Sequence, residues 1–276
     1  MAFNAEPKPI KPLPELAELK LDEDAFVGLL RKLISESEHV QNNPAQGLVP
    51  EEGRIVKYVL EELAPHSTKA GGPLKVEVLE YKEGRPNVKI TYKGTTEKTI
   101  GLIGSHMDVV PANPETWERN PFELTKEGDK LYGRGTTDCL GHVAMLTRLM
   151  VDLATAKPTL EKSVIVLFIA GEEGGDVGVG VDVVVERGEI DELKKGPVIW
   201  IDSADSQPCL GTAGALQWHL KANGRLFHSG LPHRGINSLE LAMEAVAEIQ
   251  KRFYKDFPPR AEEVRVFVCS NALKLG

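Results

Sequence analysis

Apolar residues recur at helical spacing in two segments near the start of the chain. In "DEDAFVGLLRKLISESE", residues 22–38, and "EEGRIVKYVLEELA", residues 51–64, apolar side chains return every three or four positions. This period places them along one face of a helix. The spacing therefore predicts two amphipathic helices that each bury one face, with Asp22 as the N-cap of the first.

Strand patterns follow these helices. Residues 75–82 and 87–94 alternate apolar and polar side chains, which predicts two half-buried strands joined by the turn "EGRPN". Continuous apolar runs at 99–105, 163–171 and 197–202 predict further strands. Runs without alternation are typical of strands that are covered on both faces of a sheet.

Helical patterns separate the apolar runs, at residues 141–154 and 180–189. Strands interleaved with helices favour the α/β class. We therefore expect a mixed sheet with helices on both of its faces.

The pattern changes after about Gly211. Residues 215–230 alternate like half-exposed antiparallel strands, 237–253 form a strongly amphipathic helix, and 264–269 read as a strand. This order predicts a separate α+β module. The expected divisions are an extended lead-in at 1–21, a first domain at 22–210 and a second, partial domain at 211–276.

Charge and cysteine usage restrict the partners. The 276 residues carry a formal net charge of -8, which disfavours nucleic acid and anionic membranes because both require a basic face. Cys139, Cys209 and Cys269 are widely spaced, so a disulfide framework or a cysteine zinc site is disfavoured and a reducing compartment fits. The first twenty residues lack the features of a signal or transit peptide. We expect a cytoplasmic protein with no membrane partner.

Imidazole and carboxylate groups follow the predicted strands where each one ends. In open α/β sheets, ligands bind outside the carboxyl ends of the strands. Groups that are far apart in the sequence can therefore meet at one edge of the sheet. The candidates are His106 and Asp108 after the first apolar run, Asp138 after "GRGTT", Glu172 and Glu173 after the second run, and Asp202 at the end of the third.

A divalent cation would remove the cost of bringing these groups together. Several carboxylates in one buried site cost several kcal/mol for each uncompensated ion. Nitrogen and oxygen ligands suit zinc, cobalt or manganese in an open, catalytic site. His106 is then a ligand, and Asp108 either accepts its second ring N–H or holds the loop. Of the pair Glu172 and Glu173, one binds metal and the other accepts a proton from water.

Each motif by itself has a simpler explanation. A histidine two residues before an aspartate is more often part of a capped turn, and "EEGGD" is more often a solvated loop. Their joint position at successive strand ends is what favours a metal site.

Three segments together resemble the signature of a known family. "GSHMDVVP", "LYGRGTTDCLGH" and "FIAGEEGG" are similar, in order and separation, to segments of the two-metal exopeptidases and deacylases, which include aminoacylase, carboxypeptidase G and succinyl-diaminopimelate desuccinylase. The resemblance runs from about residue 22 to about residue 260. "HMDVVPANPETWERNPFEL" and the segment from "FHSGLPHRG" onwards resemble the eukaryotic, plant-type acetylornithine deacetylases.

The resemblance implies a fold, a reaction and a role for each matching residue. It implies a zinc-exopeptidase-like catalytic domain with an inserted lid that forms a homodimer, two Zn²⁺ or Co²⁺ ions, and hydrolysis of N2-acetylornithine or a related N-acyl amino acid. His106 and Asp202 would bind the first metal, Asp138 would bridge both, and Glu173 would bind the second. Asp108 would steady His106, Glu172 would act as general base, and His228 of the lid would polarise the substrate carbonyl. Cys139 is interpreted as a buried packing residue.

One departure from the family pattern concerns the second metal. The family completes that site with a late histidine in a segment that returns to the catalytic domain, and this sequence ends at Gly276 without it. We expect the second site to be incomplete in this chain. Two alternatives stay open: another N-acyl amino acid hydrolase or dipeptidase, or a catalytically dead, truncated isoform that acts by binding.

Overall fold

The computed structural model describes residues 20–203 and 218–258. The chain divides into two compact units, at residues 1–203 and 204–276. The expected boundary between residues 210 and 211 lies outside the described residues, so it stays a prediction. Among the helices of the described ranges, none combines the length and the apolar character that a membrane crossing requires.

The described residues form five α-helices and seven β-strands. The helices are α1 Glu23–Ser35, α2 Gly53–Leu63, α3 Leu140–Ala156, α4 Val181–Glu186 and α5 Ser238–Asp256. The strands are β1 Leu74–Glu80, β2 Pro86–Tyr92, β3 Thr99–Ile103, β4 Thr125–Glu127, β5 Lys130–Tyr132, β6 Ser163–Phe168 and β7 Val198–Trp200.

A five-stranded mixed sheet organises the first unit. Its order is β1-β2-β6-β3-β7. β1 pairs antiparallel with β2, and β2 pairs antiparallel with β6. β3 lies between β6 and β7 and is parallel to both. The mixed α/β class predicted from the sequence is confirmed, and the three parallel strands end at the same edge of the sheet.

Helices cover both faces of this sheet. Side chains alternate between the faces of a strand. On β6, Val166 and Phe168 join the cluster that packs against α1, α2 and α3, whereas Ile165 and Leu167 join the cluster that contains Val184 of α4. The continuous apolar run of β6 is therefore explained by burial on two sides.

The first predicted helix forms as its spacing indicates. The Asp22 carboxylate accepts a hydrogen bond from the Ala25 backbone N–H at 3.0 Å, which confirms it as the N-cap of α1. Leu30 and Leu33 of α1 are fully buried. Burial of one such side chain stabilises the fold by about 1.5–3 kcal/mol. Packing of this face, together with the cap, accounts for the helix.

The second unit differs from its prediction. Residues 218–230, expected to be half-exposed strands, form only an isolated bridge between Arg225 and Ile236. Helix α5 forms as predicted, but Leu239 and Met243 on its apolar face are exposed. The strand predicted at 264–269 lies outside the described residues. An alternating pattern forms a strand only where a neighbouring strand pairs with it.

Two details of the first unit also differ from the sequence prediction. β7 was expected to be covered on both faces, yet Trp200 and its two neighbours in the strand are about half exposed, because β7 is an edge strand among the described residues. The hairpin of β4 and β5 was not predicted. Each of its strands has three residues, which is too short for a clear alternation, and only the turn at Gly128 and Asp129 marks it.

Candidate metal centre

The carboxyl ends of β6, β3 and β7 bring the candidate residues together. The segment after β3 continues beside the segment after β6, where the Met107 backbone N–H donates to the Ile169 carbonyl at 3.0 Å. On the other side, the Ser105 hydroxyl donates to the Ile201 carbonyl at 3.0 Å. These contacts align the three strand ends, so the residues that follow them share one edge.

His106 lies buried at the centre of this edge. Its Nδ1 is 2.8 Å from the Asp108 carbonyl oxygen, and its Nε2 is 2.8 Å from Oδ1 of Asp138. Both partners are acceptors, so a doubly protonated ring would donate to both of them in the absence of a metal. Burial alone lowers the pKa of His106, but hydrogen bonds to Asp108 and Asp138 outweigh it, so the pKa is raised.

Asp108 fastens the loop that follows β6. Its Oδ1 accepts the Glu172 backbone N–H at 3.1 Å, and its Oδ2 accepts the Glu173 backbone N–H at 3.0 Å. Its carboxylate is 3.4 Å from Nδ1 of His106, farther than its own carbonyl oxygen. Burial raises the pKa of Asp108, but hydrogen bonds from His106 and Asn42 outweigh it and the pKa is lowered. Of the two roles considered for Asp108, the geometry favours holding the loop.

The two adjacent glutamates have different surroundings. The Glu172 carboxylate is partly exposed, with Oε2 3.9 Å from Nε2 of His106, and burial raises its pKa. Glu173 has a buried oxygen, Oε1, that accepts no hydrogen bond from any described residue. Burial and the negative charge of Asp138 raise the pKa of Glu173 to about 7. An unpaired buried acceptor beside a second carboxylate is what a cation would satisfy.

Asp138 and Asp202 complete a group around His106. One ligand atom from each of His106, Asp138, Cys139 and Asp202 lies within 4.8 Å of the others. The hydrogen bond from His106 lowers the pKa of Asp138. Asp202 accepts from the Trp200 indole N–H at 3.2 Å. Two carboxylates and one imidazole at this spacing suit a borderline divalent cation, and the donor set therefore fits the predicted metal.

Cys139 was interpreted as a packing residue, and it is fully buried. The structure also brings its sulfur close to the group, with Sγ 3.7 Å from Oδ1 of Asp202 and 3.3 Å from Nδ1 of His142. Burial raises the pKa of the thiol, so the neutral form prevails. The position directly after Asp138 was the only signal in the sequence for this proximity.

His228 belongs to the second unit. It is exposed, and its Nδ1 accepts the Gly230 backbone N–H at 3.1 Å. Its assignment to the substrate carbonyl stays a prediction.

Several residues around the centre were not found from the sequence. Asn42 donates to Asp108 and to Asp176, and Arg85 is paired with Glu52 and Asp176. Ser203 donates to Asp138 at 3.3 Å. None of them belongs to a recognisable motif. A motif is a local pattern, and the contacts of these residues join positions that are distant in the sequence.

Comparison with known proteins identifies close relatives. The chain is 53% identical over 258 residues to a curated acetylornithine deacetylase of Arabidopsis thaliana, covering 92% of this chain and 58% of the relative. It is 49% identical over 271 residues to the acetylornithine deacetylase of Dictyostelium discoideum, covering 94% and 60%. The chain thus spans about three fifths of the length of these relatives.

More distant similarity concerns the fold alone. The solved structure of the di-peptidase Dug1p from Saccharomyces cerevisiae matches with a TM-score of 0.50 at 17% identity, over 64% of this chain and 38% of that one.

The model of the peptidase family M20/M25/M40 matches residues 102–256, which is more than half of the chain. That segment holds the group around His106, both glutamates and helix α5. On this match, the chain belongs to the peptidase family M20/M25/M40.

Proposed function

We propose that the protein takes part in hydrolysis of the amide bond of an N-acyl amino acid, with N2-acetylornithine as the first candidate and acetate and ornithine as products. The observation that supports this most is the group of His106, Asp138 and Asp202 beside a glutamate whose pKa is raised. The identity to the acetylornithine deacetylases supports the choice of substrate.

The same residues would hold the metal. His106, Asp138 and Asp202 are assigned to one divalent cation, zinc or cobalt, and Asp138 and Glu173 are assigned to a second. When bound, such cations polarise the scissile carbonyl and acidify water. The buried Oε1 of Glu173, which accepts no hydrogen bond from the described residues, supports this assignment, because a cation would satisfy that oxygen and balance the neighbouring carboxylates.

Glu172 is assigned to proton transfer. It would accept a proton from the attacking water and deliver it to the leaving amine, a contribution typically of about 10²–10⁴-fold in rate. Burial raises the pKa of Glu172, which brings it closer to the working pH than an exposed glutamate. Asp108 would keep it in place through the backbone N–H. His228 is assigned to stabilisation of the oxyanion in a homodimer.

The cellular assignment is also part of the proposal. Release of ornithine would supply arginine synthesis, in the cytoplasm. The free, buried Cys139 is compatible with a reducing compartment. A fluorescent fusion would test the location, and growth of an arginine auxotroph that lacks this deacetylase would test the pathway.

The decisive experiment is a product assay with added zinc or cobalt. Purified protein is incubated with N2-acetylornithine, N-acetylmethionine and a dipeptide, and release of the free amino acid is measured. Metal-dependent release that is fastest from N2-acetylornithine supports the proposal. Faster release from another substrate would redirect it within the family, and no release from any substrate by a zinc-loaded protein would contradict it.

A further inference from the structure

The loop from Gly171 to Asp176 holds both glutamates of the candidate centre and is fixed by side chains outside every motif. We propose that Asn42 and Arg85 are positioning residues that set the geometry of Glu172 and Glu173 for metal binding. This inference rests on the proposed function, because it gives the two glutamates their roles there.

Arg85 secures the two ends of the loop. Its guanidinium is almost fully buried and makes two hydrogen bonds to the buried Glu52 carboxylate, at 2.9 Å and 2.7 Å. Its third nitrogen, Nη1, donates to Oδ2 of Asp176 at 2.7 Å. Oε1 of Glu52 accepts the Gly171 backbone N–H at 3.0 Å. Through these contacts, one cation fixes the residue before Glu172 and the residue that closes the loop.

Asn42 secures the middle of the loop. Its amide Nδ2 donates to Oδ2 of Asp108 at 2.8 Å and to Oδ2 of Asp176 at 3.3 Å. Asp108 in turn holds the backbone N–H groups of Glu172 and Glu173. Asn42 is therefore linked, through Asp108 and two successive hydrogen bonds, to the residues that carry the proposed chemistry.

The chemistry of the amide explains why an asparagine suits this position. Asp108 and Asp176 are both carboxylates, and each needs a donor on the side that faces Asn42. A carboxamide offers two N–H groups without adding charge. An aspartate there would place a third carboxylate against the other two.

Gly174 lies directly against this amide. A Cβ added at Gly174 would be 2.3 Å from Oδ1 of Asn42, so a larger residue must displace the side chain. The loop and the amide are thus packed together as well as hydrogen-bonded. Groups that orient metal ligands in this indirect way typically change metal affinity by about 10–100-fold when they are removed.

Two independent variants test the inference, each with a matched control. Asn42→Ala removes the amide, and Gly174→Ala displaces it. Tyr92→Phe removes a buried hydrogen bond to the Pro158 carbonyl, far from the loop, and Gly28→Ala adds a methyl group where no atom lies within 4 Å. The zinc dissociation constant is measured by competition with a chromogenic chelator, and the melting temperature is measured in EDTA.

We expect zinc affinity to fall by about 10–100-fold in Asn42→Ala and in Gly174→Ala, and to stay at the wild-type value in both controls. The melting temperature in EDTA should fall no further in Asn42→Ala than in Tyr92→Phe. Wild-type zinc affinity in the two loop variants would overturn the positioning role while leaving the proposed function intact. A fall in zinc affinity in Tyr92→Phe equal to that in Asn42→Ala would reduce Asn42 to a structural role and would also overturn the positioning role. A wild-type protein that does not bind zinc would overturn the proposed function, and the inference with it.

Discussion

Replacement of Arg85 by methionine should strongly destabilise the metal-free protein. The Glu52 carboxylate that pairs with Arg85 is fully buried, and burial already raises its pKa in the presence of the guanidinium. Methionine keeps much of the side-chain volume but leaves this carboxylate without a counter-charge. Removal of one partner of a buried ion pair costs about 3–5 kcal/mol, and we expect a loss of this size at pH 7.5.

The same loss should depend on pH in a defined direction. In Arg85→Met the folded-state pKa of Glu52 rises further above the unfolded value, so the folded protein binds a proton that the unfolded chain releases. The deficit relative to the wild type therefore grows as the pH increases above the folded-state pKa of Glu52 in the wild type, which is itself raised, and stops growing above that of the variant. One linked proton changes stability by up to about 1.4 kcal/mol per pH unit, so the deficit should be smaller at pH 5.5 by up to about 2.7 kcal/mol.

Urea unfolding followed by circular dichroism, in EDTA, measures both the loss of stability in Arg85→Met and its dependence on pH. Arg54→Met is the control, because the ion pairs of Arg54 with Glu51 and Glu36 are at the surface, where such pairs contribute little to stability. Adding Glu52→Gln to Arg85→Met should recover part of the stability, since a neutral amide needs no counter-charge. A loss at pH 7.5 no larger than that of Arg54→Met, or a deficit that increases at low pH, would refute this reasoning.

Three further predictions concern the candidate centre. For the proposed hydrolysis, Glu172→Gln should keep its bound metal and lower kcat by about 10²–10⁴-fold, and wild-type turnover would rule out its role as base. Asp138→Ala should lower the metal content, measured by elemental analysis, more than Glu172→Gln does, and equal contents would count against Asp138 as a shared ligand. Zinc binding should release more protons at pH 6 than at pH 8, because the pKa of Glu173 is about 7 in the metal-free protein. Calorimetry in buffers of different ionisation enthalpy should show that this group releases about 0.8 proton more at pH 6 than at pH 8. Equal proton release at the two pH values would contradict a Glu173 pKa of about 7.

The sequence predicted the parts of the fold that depend on local patterns. α1 and α2 form because their apolar residues share one face, and β6 is apolar throughout because both of its faces are buried. The meeting of His106 and Asp202 followed from the rule that parallel strands end at one edge, whereas Asp138 lies just before α3 and follows no strand of this sheet. For the two helices and the strand, a short segment contains the information that fixes its structure.

Long-range pairing explains what was missed. Asn42 and Asp176 are 134 residues apart, and Arg85 and Asp176 are 91 residues apart, so no local pattern marks either contact. Of the strands expected at 215–230, the described part at 218–230 does not form them, because alternation specifies which face is apolar but not whether a pairing partner is present. Surroundings that depend on the tertiary structure, such as the Glu173 oxygen that accepts no hydrogen bond within the described ranges, are visible only after folding.

Zinc binding to the wild-type protein and to His106→Ala, compared by calorimetric titration, tests the central claim most directly. His106 is buried, with Nε2 beside the candidate ligand Asp138 and Nδ1 held by the Asp108 carbonyl, so its imidazole should contribute strongly to the metal site. We expect the wild-type protein to bind zinc roughly 100-fold more tightly than His106→Ala, the share of one ligand in a typical zinc site. Equal zinc affinity of the two proteins would show that the edge formed by β6, β3 and β7 is not the metal centre.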